Sequence, residues 1–463
     1  MESDTIYINS RDTPESATQN NNKSAQQIIY GKTGLSNSTM THCYMNSAIQ
    51  ILSHNYPLTN YLFMNKDKII AILKINAGKN LRDNSNFKLD SNNLISAQLK
   101  QKIHDPEYNP SMLTAEEEIV VLNNMITIQL IKLLEKMWER NQSINPISFR
   151  AVFSEARDRF FYGLDQHDAE EAYSCIIQKM QEELAEEKNI KFKTDKPSVQ
   201  EFLAFRNKIM DEINATDSIE RKRLLFEHFT NKKKEFPVEN LIVEGYKEMK
   251  KFYGSSYSRI TEIFTGFLHS SITCPNANCK YSSNKFDPYF HLSLPMPTRN
   301  ANDLPLTILA IEDCMKEYCR VEILDEKNLW KCEQCHRDVR AIKTLRLWTA
   351  PPVLVIQLKR FGVSKLHKDS RLVNFPLDNL DIKPIISQIQ QNSAKCYTYR
   401  LQSVVNHHGG LGSGHYYTYC LDEDSGIWYE FNDMFVRRAQ RIITSEAYLL
   451  VYTRKDMIVT IKN

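Results

Sequence analysis

Two residues that can do chemistry together, a cysteine and a histidine, lie near opposite ends of the 463-residue chain. Cys43 precedes apolar residues that recur at helical spacing up to Leu52, so the sequence predicts a helix with the cysteine in its first turn. Unpaired N–H groups and the positive end of the helix dipole at that turn favour a thiolate over a thiol. A lone cysteine is more commonly a buried structural residue, so a catalytic interpretation needs a base.

The candidate base is His415, in the run VVNHHGGLGSGHYYTYC. The glycines just before it allow a tight backbone and leave room for a substrate beside the imidazole. Downstream, the run WYEFNDMFV places Asn432 and Asp433 on or beside the next predicted strand. A carboxylate at Asp433 would accept the other ring N–H of His415 and hold its tautomer. The sequence therefore predicts a nucleophile, a base and an orienting group, with Asn432 in support.

A second cluster of reactive residues consists of four cysteines in two pairs. Cys274 and Cys279 lie in CPNANC, and Cys332 and Cys335 lie in CEQC. Two such pairs on separate hairpins commonly form a closed tetrahedral zinc site, so we expect a structural zinc here and no metal in catalysis. The alternative is that the thiols serve as small hydrophobic residues without metal. The other cysteines are interpreted as structural: Cys175, Cys314, Cys319, Cys396 and Cys420.

The composition limits the classes of protein to which the chain can belong. Hydrophobic residues make up 42% and charged residues 25%, as in ordinary proteins with a packed core. The 59 basic and 56 acidic residues nearly balance, which gives no general case for nucleic acid binding. No apolar run approaches the roughly 18 residues of a membrane span, and the N-terminus lacks the apolar core of a secretory signal. We therefore expect an intracellular protein, cytoplasmic or nuclear, without membrane or nucleic acid partners.

Patterning along the chain indicates the elements that must position these residues. Residues 1–29 are polar and without periodicity, which predicts a disordered tail. Amphipathic helices are predicted over 119–137 and from near Asp168. The stretch of about 180–255 is highly charged, and we interpret it as a solvated helical insertion. Beyond residue 260, short β-rich runs alternate with turn residues, so the C-terminal half is predicted to be largely sheet.

Several motifs, in one order, resemble those of the ubiquitin-specific protease family. CYMNSAIQIL at 43–52 is similar to the cysteine box and QHDAEEAY at 166–173 to the glutamine–aspartate box. HHGGLGSGHYYTY, WYEFND and AYLLVYTR are similar to the histidine box. FTGFLHSSITC, LDEKNLWKCEQC, LRLWTAPPVLVIQLKRF and VNFPL resemble the motifs between the boxes. The resemblance covers roughly residues 34–454.

The resemblance implies an α+β, papain-like cysteine protease fold with a helical thumb, a β-rich palm and β fingers that grip ubiquitin. The implied division of the chain is a catalytic domain at 30–456, with the thumb at about 34–178, the charged insertion at about 180–255, fingers and palm at about 260–456, and a C-terminal tail at 457–463. We expect a monomer whose partners are ubiquitin and ubiquitinated proteins.

The family's chemistry assigns roles to the residues that match its motifs. Cys43 would be the nucleophile, His415 the general base and acid, and Asp433 the residue that orients His415. The enzyme would be a ubiquitinyl hydrolase that cleaves the isopeptide or peptide bond after ubiquitin's C-terminal glycine through a thioester. Asp168 and Glu171 would face the basic tail of ubiquitin, although Asp168 could equally cap a helix. The implied substrate-binding residues are Gln166, Asp168, Glu171, Gly414 and Tyr416, in a narrow cleft that also includes Gly412.

The sequence departs from the family pattern just before the nucleophile. The family places an asparagine five residues before the cysteine, whereas Asn37 lies six before Cys43 in GLSNSTMTHC, and His42 replaces a threonine. One extra residue must be absorbed as a bulge if Asn37 is to stabilise the oxyanion; otherwise backbone N–H groups at Cys43 or the His42 side chain would have to serve.

This departure motivates an alternative function, a catalytically weak or inactive pseudoprotease that binds ubiquitin. The intact set of Cys43, His415 and Asp433 favours the enzyme, because a binding module gains nothing from keeping all three. A zinc-dependent hydrolase is disfavoured, since the histidines are dispersed and no HExxH-type ligand set is present.

Overall fold

The computed structural model describes residues 5–9, 31–82, 94–139, 141–298, 305–361, 368–391, 396–410 and 413–457. Its helices are α1 (Cys43–Ser53), α2 (Tyr56–Met64), α3 (Lys66–Arg82), α4 (Leu94–His104), α5 (Ala115–Asn123), α6 (Ile126–Glu139), α7 (Ile147–Arg159), α8 (Ala169–Glu183), α9 (Pro197–Ala215), α10 (Ile219–Glu235), α11 (Pro237–Ser256), α12 (Arg259–Phe264), α13 (Ile311–Tyr318) and α14 (Gln388–Gln391). None of these described helices has both the length and the apolarity that a bilayer crossing requires.

The strands lie mainly in the C-terminal half. They are β1 (Thr5–Asn9), β2 (Asn189–Lys193), β3 (Gly266–Thr273), β4 (Ser282–Tyr289), β5 (Leu292–Leu294), β6 (Ile308–Ala310), β7 (Glu322–Ile323), β8 (Trp330–Lys331), β9 (Asp338–Val339), β10 (Ile342–Thr349), β11 (Val353–Leu358), β12 (Leu372–Asn374), β13 (Leu380–Asp381), β14 (Thr398–Gly409), β15 (Gly414–Asp422), β16 (Ile427–Asn432), β17 (Phe435–Arg438) and β18 (Ala447–Arg454).

The largest sheet has the strand order β17-β16-β15-β14-β18-β11-β5, and β13 pairs with β14 outside this path. Its pairs are antiparallel except β11 with β5. The hairpin between β14 and β15 pairs Gly409 with Gly414, and the hairpin between β16 and β17 pairs Asn432 with Phe435. Because alternate hairpins of an antiparallel sheet turn at the same end, these two turns lie side by side.

Helix α1 lies between this sheet and the other N-terminal helices. All of its residues are buried, so its apolar face and its polar face are both covered by protein. Its apolar side chains belong to one core cluster that extends from α2–α8 to residues of the sheet such as Val405, Tyr416 and Tyr448. Packing on both sides therefore fixes where the first turn of α1 points.

A smaller, four-stranded sheet has the strand order β4-β3-β10-β7. The charged stretch of about 180–255 folds into β2 and the helices α9, α10 and α11, and it packs on this smaller sheet through an aromatic core. Val243 of α11 contributes to that core with Phe267, Phe286 and Trp348 of the strands. Helix α10 contributes no buried residue, so it is the outermost layer.

The predicted disordered tail of residues 1–29 differs from the structure at Thr5–Asn9, which form β1 and pair in parallel with β2. The run TIYIN is rich in β-branched and aromatic residues, and these favour a strand even within a polar segment. The rest of that predicted tail lies outside the described residues, and so does 458–463 of the predicted C-terminal tail.

Candidate active site and metal centre

Cys43 is the first residue of α1 and is only 1% exposed. The residue before it, His42, makes no side-chain cap with the helix, and the first turn contains no acidic side chain. The positive end of the helix dipole is therefore not neutralised by these groups and acts on the sulfur. This placement agrees with the helix start predicted from the sequence.

The structure brings His415 to Cys43, although the two lie near opposite ends of the chain. His415 is the second residue of β15, and its ring lies close enough to the Cys43 side chain for that thiol to be the largest influence on its pKa. The interaction with Cys43 raises the pKa of the imidazole to about 9, against the opposing effect of burial. Stabilisation of the protonated imidazole by a neighbouring cysteine is expected where the two side chains form a thiolate–imidazolium pair.

The His415 ring is hydrogen bonded to Asn432, whereas the sequence analysis assigned this contact to Asp433. The Nε2 atom of His415 lies 2.8 Å from Oδ1 of Asn432, so the ring N–H donates to the amide oxygen. Asn432 ends β16 with its side chain on the His415 side, whereas Asp433 lies in the following turn with a positive φ of 48°. The charge of the Asp433 carboxylate adds a smaller rise to the pKa of His415.

Asp433 instead holds the segment in front of the nucleophile. Its carboxylate accepts hydrogen bonds from Nδ2 of Asn37 at 3.0 Å and from Nδ2 of Asn46 at 2.8 Å. Its backbone carbonyl accepts from the N–H of Leu35 at 2.8 Å. Asp433 thus joins the sheet to the loop and first turn of α1, a role that the sequence analysis did not assign.

The extra residue in front of Cys43 is absorbed as a turn. Met40 has a φ of 58°, and its N–H donates to the carbonyl of Asn37 at 3.1 Å. A left-handed conformation costs a non-glycine residue roughly 1–2 kcal/mol, so this turn is strained. It allows Oδ1 of Asn37 to accept from the backbone N–H of His42 at 3.1 Å, directly beside the nucleophile.

His42, the other residue considered for the oxyanion, is held by its own neighbours. Its Nδ1 lies 2.6 Å from Oγ1 of Thr39 and 3.1 Å from Oγ1 of Thr41. Burial, followed by the nearby charge of Arg150, lowers the pKa of the ring, so it is neutral at pH 7.

Of the residues predicted to bind the substrate tail, Gln166 contacts the hairpin that carries His415. Oε1 of Gln166 accepts from the N–H of Gly414 at 3.3 Å, which joins the loop before α8 to the β14–β15 hairpin. Tyr416 is buried and contributes to the core beneath this junction. Gly412 lies outside the described residues.

Asp168 is the N-cap of α8, as the alternative interpretation of this residue allowed. Its Oδ1 accepts from the N–H of Glu170 at 2.7 Å, and its Oδ2 accepts from the hydroxyl of Tyr448 at 2.5 Å. Burial raises the pKa of Asp168, with smaller lowering effects from these hydrogen bonds, and burial also raises the pKa of Glu171. Both carboxylates would therefore be stabilised by a cationic partner.

Sequence reasoning missed three residues that support the site: Asn46, Tyr448 and His407. Asn46 and Tyr448 both lie within motifs that were recognised, but their side chains reach partners far away in the chain, which no local pattern reveals. His407 lies against Gly414, where a Cβ would be 2.1 Å from Nε2 of His407. Close packing against His407 and His408 therefore favours glycine at position 414.

The four cysteines of the predicted metal site converge. Sγ of Cys274 lies 3.9 Å from Sγ of Cys335, Sγ of Cys279 lies 3.6 Å from Sγ of Cys332, and all four sulfurs lie within 4.8 Å of one another. Zinc–sulfur bonds of about 2.3 Å in a tetrahedron require sulfurs about 3.8 Å apart. The donor set therefore fits a zinc ion, which four cysteines would enclose without leaving a position for substrate.

Each cysteine pair forms a short turn that points backbone N–H groups at the sulfurs. Burial would raise the pKa of Cys332, but the N–H groups of Cys335 and Gln334 outweigh it and bring the pKa down to about 7. The two turns are joined by stacked rings of Tyr281 and Trp330, whose planes differ by 1°. The site is thus built from two local turns held face to face.

Known proteins that are similar to this chain belong to one family. The sequence model described as ubiquitin carboxyl-terminal hydrolase matches residues 33–452. A probable ubiquitin carboxyl-terminal hydrolase of Acanthamoeba polyphaga mimivirus is 46% identical over 99% of this chain and 97% of its own length. Ubiquitin carboxyl-terminal hydrolase 2 of Homo sapiens is 35% identical over 45% of this chain and 33% of its own length.

Among solved structures, the chain is similar to one from the SAGA Ubp8/Sgf11/Sus1/Sgf73 DUB module bound to ubiquitin aldehyde. The TM-score is 0.55 at 20% identity, with 93% of this chain and 71% of the other covered. This likeness supports the predicted α+β fold. The family model covers most of the chain, and one relative matches it over nearly its full length. The chain therefore belongs to the ubiquitin carboxyl-terminal hydrolase family of ubiquitin-specific proteases and is a ubiquitin hydrolase.

Proposed function

We propose that the chain is a deubiquitinating thiol protease that cleaves the bond after the C-terminal glycine of ubiquitin with Cys43, His415 and Asn432. The observation that carries this proposal is the convergence of Cys43, His415 and Asn432, in which the His415 ring adjoins the Cys43 side chain and is hydrogen bonded to Asn432 at 2.8 Å. It differs from the predicted Cys–His–Asp set only in the third residue. An amide oxygen can fix the ring orientation as a carboxylate does, without adding charge.

The first chemical step forms a thioester. His415 holds the thiol proton as an imidazolium, and the Cys43 thiolate attacks the carbonyl carbon of the terminal glycine. The developing oxyanion accepts hydrogen bonds from the backbone N–H at the start of α1 and from an Nδ2 hydrogen of Asn37. As the C–N bond breaks, His415 protonates the departing lysine amine.

The second step releases ubiquitin. A water molecule donates its proton to the neutral His415 and attacks the thioester carbonyl. Collapse of the intermediate breaks the C–S bond and returns Cys43 as the thiolate, while the carboxylic acid leaves. Each proton moves through His415, so the chemistry needs no cofactor.

Recognition of the substrate tail would involve the side of the cleft formed by Gln166, Asp168 and Glu171. The two carboxylates suit the arginines of a basic tail because a guanidinium pairs with carboxylates in a fixed geometry. Gly414, whose N–H is held by Gln166, carries no side chain next to His415. The tail that would lie there is the terminal Gly-Gly segment of ubiquitin.

The alternative, an inactive ubiquitin-binding pseudoprotease, was motivated by the displaced Asn37. Because the turn at Met40 absorbs the extra residue, Asn37 still contacts His42, which is next to Cys43. The displaced position of Asn37 in the sequence is therefore no longer an argument against catalysis. The enzyme is therefore the better supported of the two functions.

Hydrolysis of ubiquitin carrying a C-terminal aminocoumarin amide tests the proposal. We expect Cys43→Ala and His415→Ala each to lower kcat by about 10⁴-fold or more, because each removes a member of one catalytic unit. Cys396→Ala is the matched control, since this half-buried thiol precedes β14 at the end remote from Gly409. Full activity of Cys43→Ala would refute the proposed nucleophile.

A further inference from the structure

Three large apolar side chains are exposed close to the catalytic residues. Met40 is 79% exposed, Phe435 is 71% exposed and Met434 is 49% exposed. We call Met40, Met434 and Phe435 the apolar rim. None of them has a role in the chemistry proposed above, and exposed apolar residues that cluster commonly mark a binding surface.

The two segments that carry the apolar rim are joined by hydrogen bonds. Met40 lies in the turn after Asn37, and Met434 and Phe435 follow Asp433, whose carboxylate accepts from Asn37 at 3.0 Å. Gly34 packs so closely on the second segment that a Cβ there would lie 2.4 Å from the carbonyl oxygen of Met434. The rim is therefore one surface, formed across a tight junction between the loop before α1 and the β16–β17 hairpin.

The apolar rim and Gln166 lie on different sides of His415 along the sheet edge where the two hairpins turn. In the strand order β17-β16-β15-β14, His415 is on β15, and β16 separates it from β17, which begins at Phe435. Gln166 contacts Gly414 at the β14–β15 hairpin. A substrate whose tail contacts Gln166 would then have its leaving amine toward β16 and β17, where the rim lies.

Two charged groups beside the rim have partners within the protein. Asp433 is bound to Asn37 and Asn46, and Arg437 pairs with Glu430 at 2.8 Å. β17 is the last strand at its end of the described sheet, so no described strand covers Phe435. The surface open to a partner therefore combines the three apolar side chains of the rim with exposed polar residues such as Ser38 and Arg438.

We propose that the apolar rim binds the conjugated protein, through apolar residues that flank the acceptor lysine. This inference rests on the proposed function, because it assigns the leaving-group side of the same active site. It makes the enzyme selective for the surroundings of the modified lysine as well as for ubiquitin.

Three substrates with one ubiquitin moiety and different leaving groups test this inference. They are ubiquitin aminocoumarin amide, ubiquitin joined through an isopeptide bond to the lysine of a Leu-Lys-Leu peptide, and the same conjugate of a Ser-Lys-Ser peptide. For the unmodified chain we expect kcat/KM on the apolar conjugate to exceed that on the polar conjugate about tenfold, a difference of about 1.4 kcal/mol.

Replacement of the rim should remove this preference. In the double variant Met40→Asn and Phe435→Ser, we expect the ratio between the two peptide conjugates to approach one. Asparagine tolerates the positive φ at position 40 better than most residues, so the turn is kept. Ile219→Ser is the control, because Ile219 is 85% exposed on α10 and belongs to neither site, and it should retain the tenfold ratio.

Equal hydrolysis of both conjugates by the unmodified chain would overturn the inference, as would a double variant that keeps the preference. In either case, hydrolysis of the aminocoumarin amide shows that the proposed function stands. If the unmodified chain fails on the aminocoumarin amide as well, the proposed function fails and the inference fails with it.

Discussion

Cys43 and the four clustered cysteines show how differently one residue type is used in two regions of this molecule. Cys43 is a single buried thiol at a helix start, and its partner His415 comes from a strand near the other end of the chain. The four clustered cysteines lie in two short turns whose backbone N–H groups face the sulfurs. Cys43 thus lies beside one base, whereas the clustered cysteines offer four thiol ligands to one metal ion.

The two sites should therefore respond differently to substitution. The active site depends on long-range hydrogen bonds that pass through Asn432 and Asp433, so single side-chain changes should act on turnover. The cysteine cluster fits a metal that would close two local turns, so loss of that metal should act on stability. The predictions below test that division, beginning with the largest expected effect.

Asn37→Ala should lower kcat by about 10²- to 10³-fold, as expected for loss of one oxyanion donor. Asp433→Ala should cause a comparable loss, because Asp433 holds Asn37 in place. If the two act as one unit, the double variant is no worse than either single variant, as measured with the aminocoumarin amide. Unchanged turnover in Asn37→Ala would show that Asn37 is not an oxyanion donor, and additive losses would show that Asp433 acts elsewhere.

Asn432→Ala should lower kcat about 10²-fold and also change its pH dependence. The pKa of His415 is raised to about 9 by Cys43 and, to a smaller extent, by Asn432. The imidazolium is therefore present below about pH 9, and activity should fall above it as the ring loses its proton. Without Asn432 this alkaline limit should move to lower pH.

A pH series of kcat/KM for both proteins measures this limit. An alkaline limit near pH 6.5 in the unmodified chain, the ordinary value for histidine, would contradict the ion pair. An alkaline limit that does not move in Asn432→Ala would contradict the role of Asn432.

Cys332→Ser should release the metal and lower the melting temperature, with less than a tenfold effect on turnover at low temperature. A stability loss of about 2 kcal/mol would lower the melting temperature by roughly 2 °C in a chain of 463 residues, because the entropy of unfolding is about 2.1 cal/mol/K per residue. Elemental analysis before and after the substitution, with Cys175→Ala as a buried control, measures the zinc directly. Freshly purified protein that contains no zinc would show that the cysteines act only as small buried residues.

The parts of the site that the sequence predicted correctly share a simple physical origin. Helical spacing placed Cys43 at a helix start, and the spacing of the cysteine pairs predicted their convergence. In both cases the signal is local, because the period of a helix or the length of a turn decides the geometry. The charged stretch shows the limit of such reasoning, since its patterning did not reveal that α11 packs on the four-stranded sheet.

The choice between Asn432 and Asp433 could not be made in the same way. Neighbouring residues at a strand end point to different sides, and the outcome depends on the residue at which the backbone enters the left-handed turn. Likewise, the extra residue before Cys43 had to be absorbed somewhere, but the sequence did not show that Met40 would adopt the positive φ. Both outcomes were decided by tertiary hydrogen bonds to Asp433.

The most direct test of the account is to treat the chain with ubiquitin whose C-terminus carries an electrophile and then to map the modified residue by mass spectrometry. The account predicts a single adduct on Cys43, with little adduct in His415→Ala at neutral pH. An adduct on any of the other nine cysteines, or no adduct under conditions where the chain is folded, would contradict it.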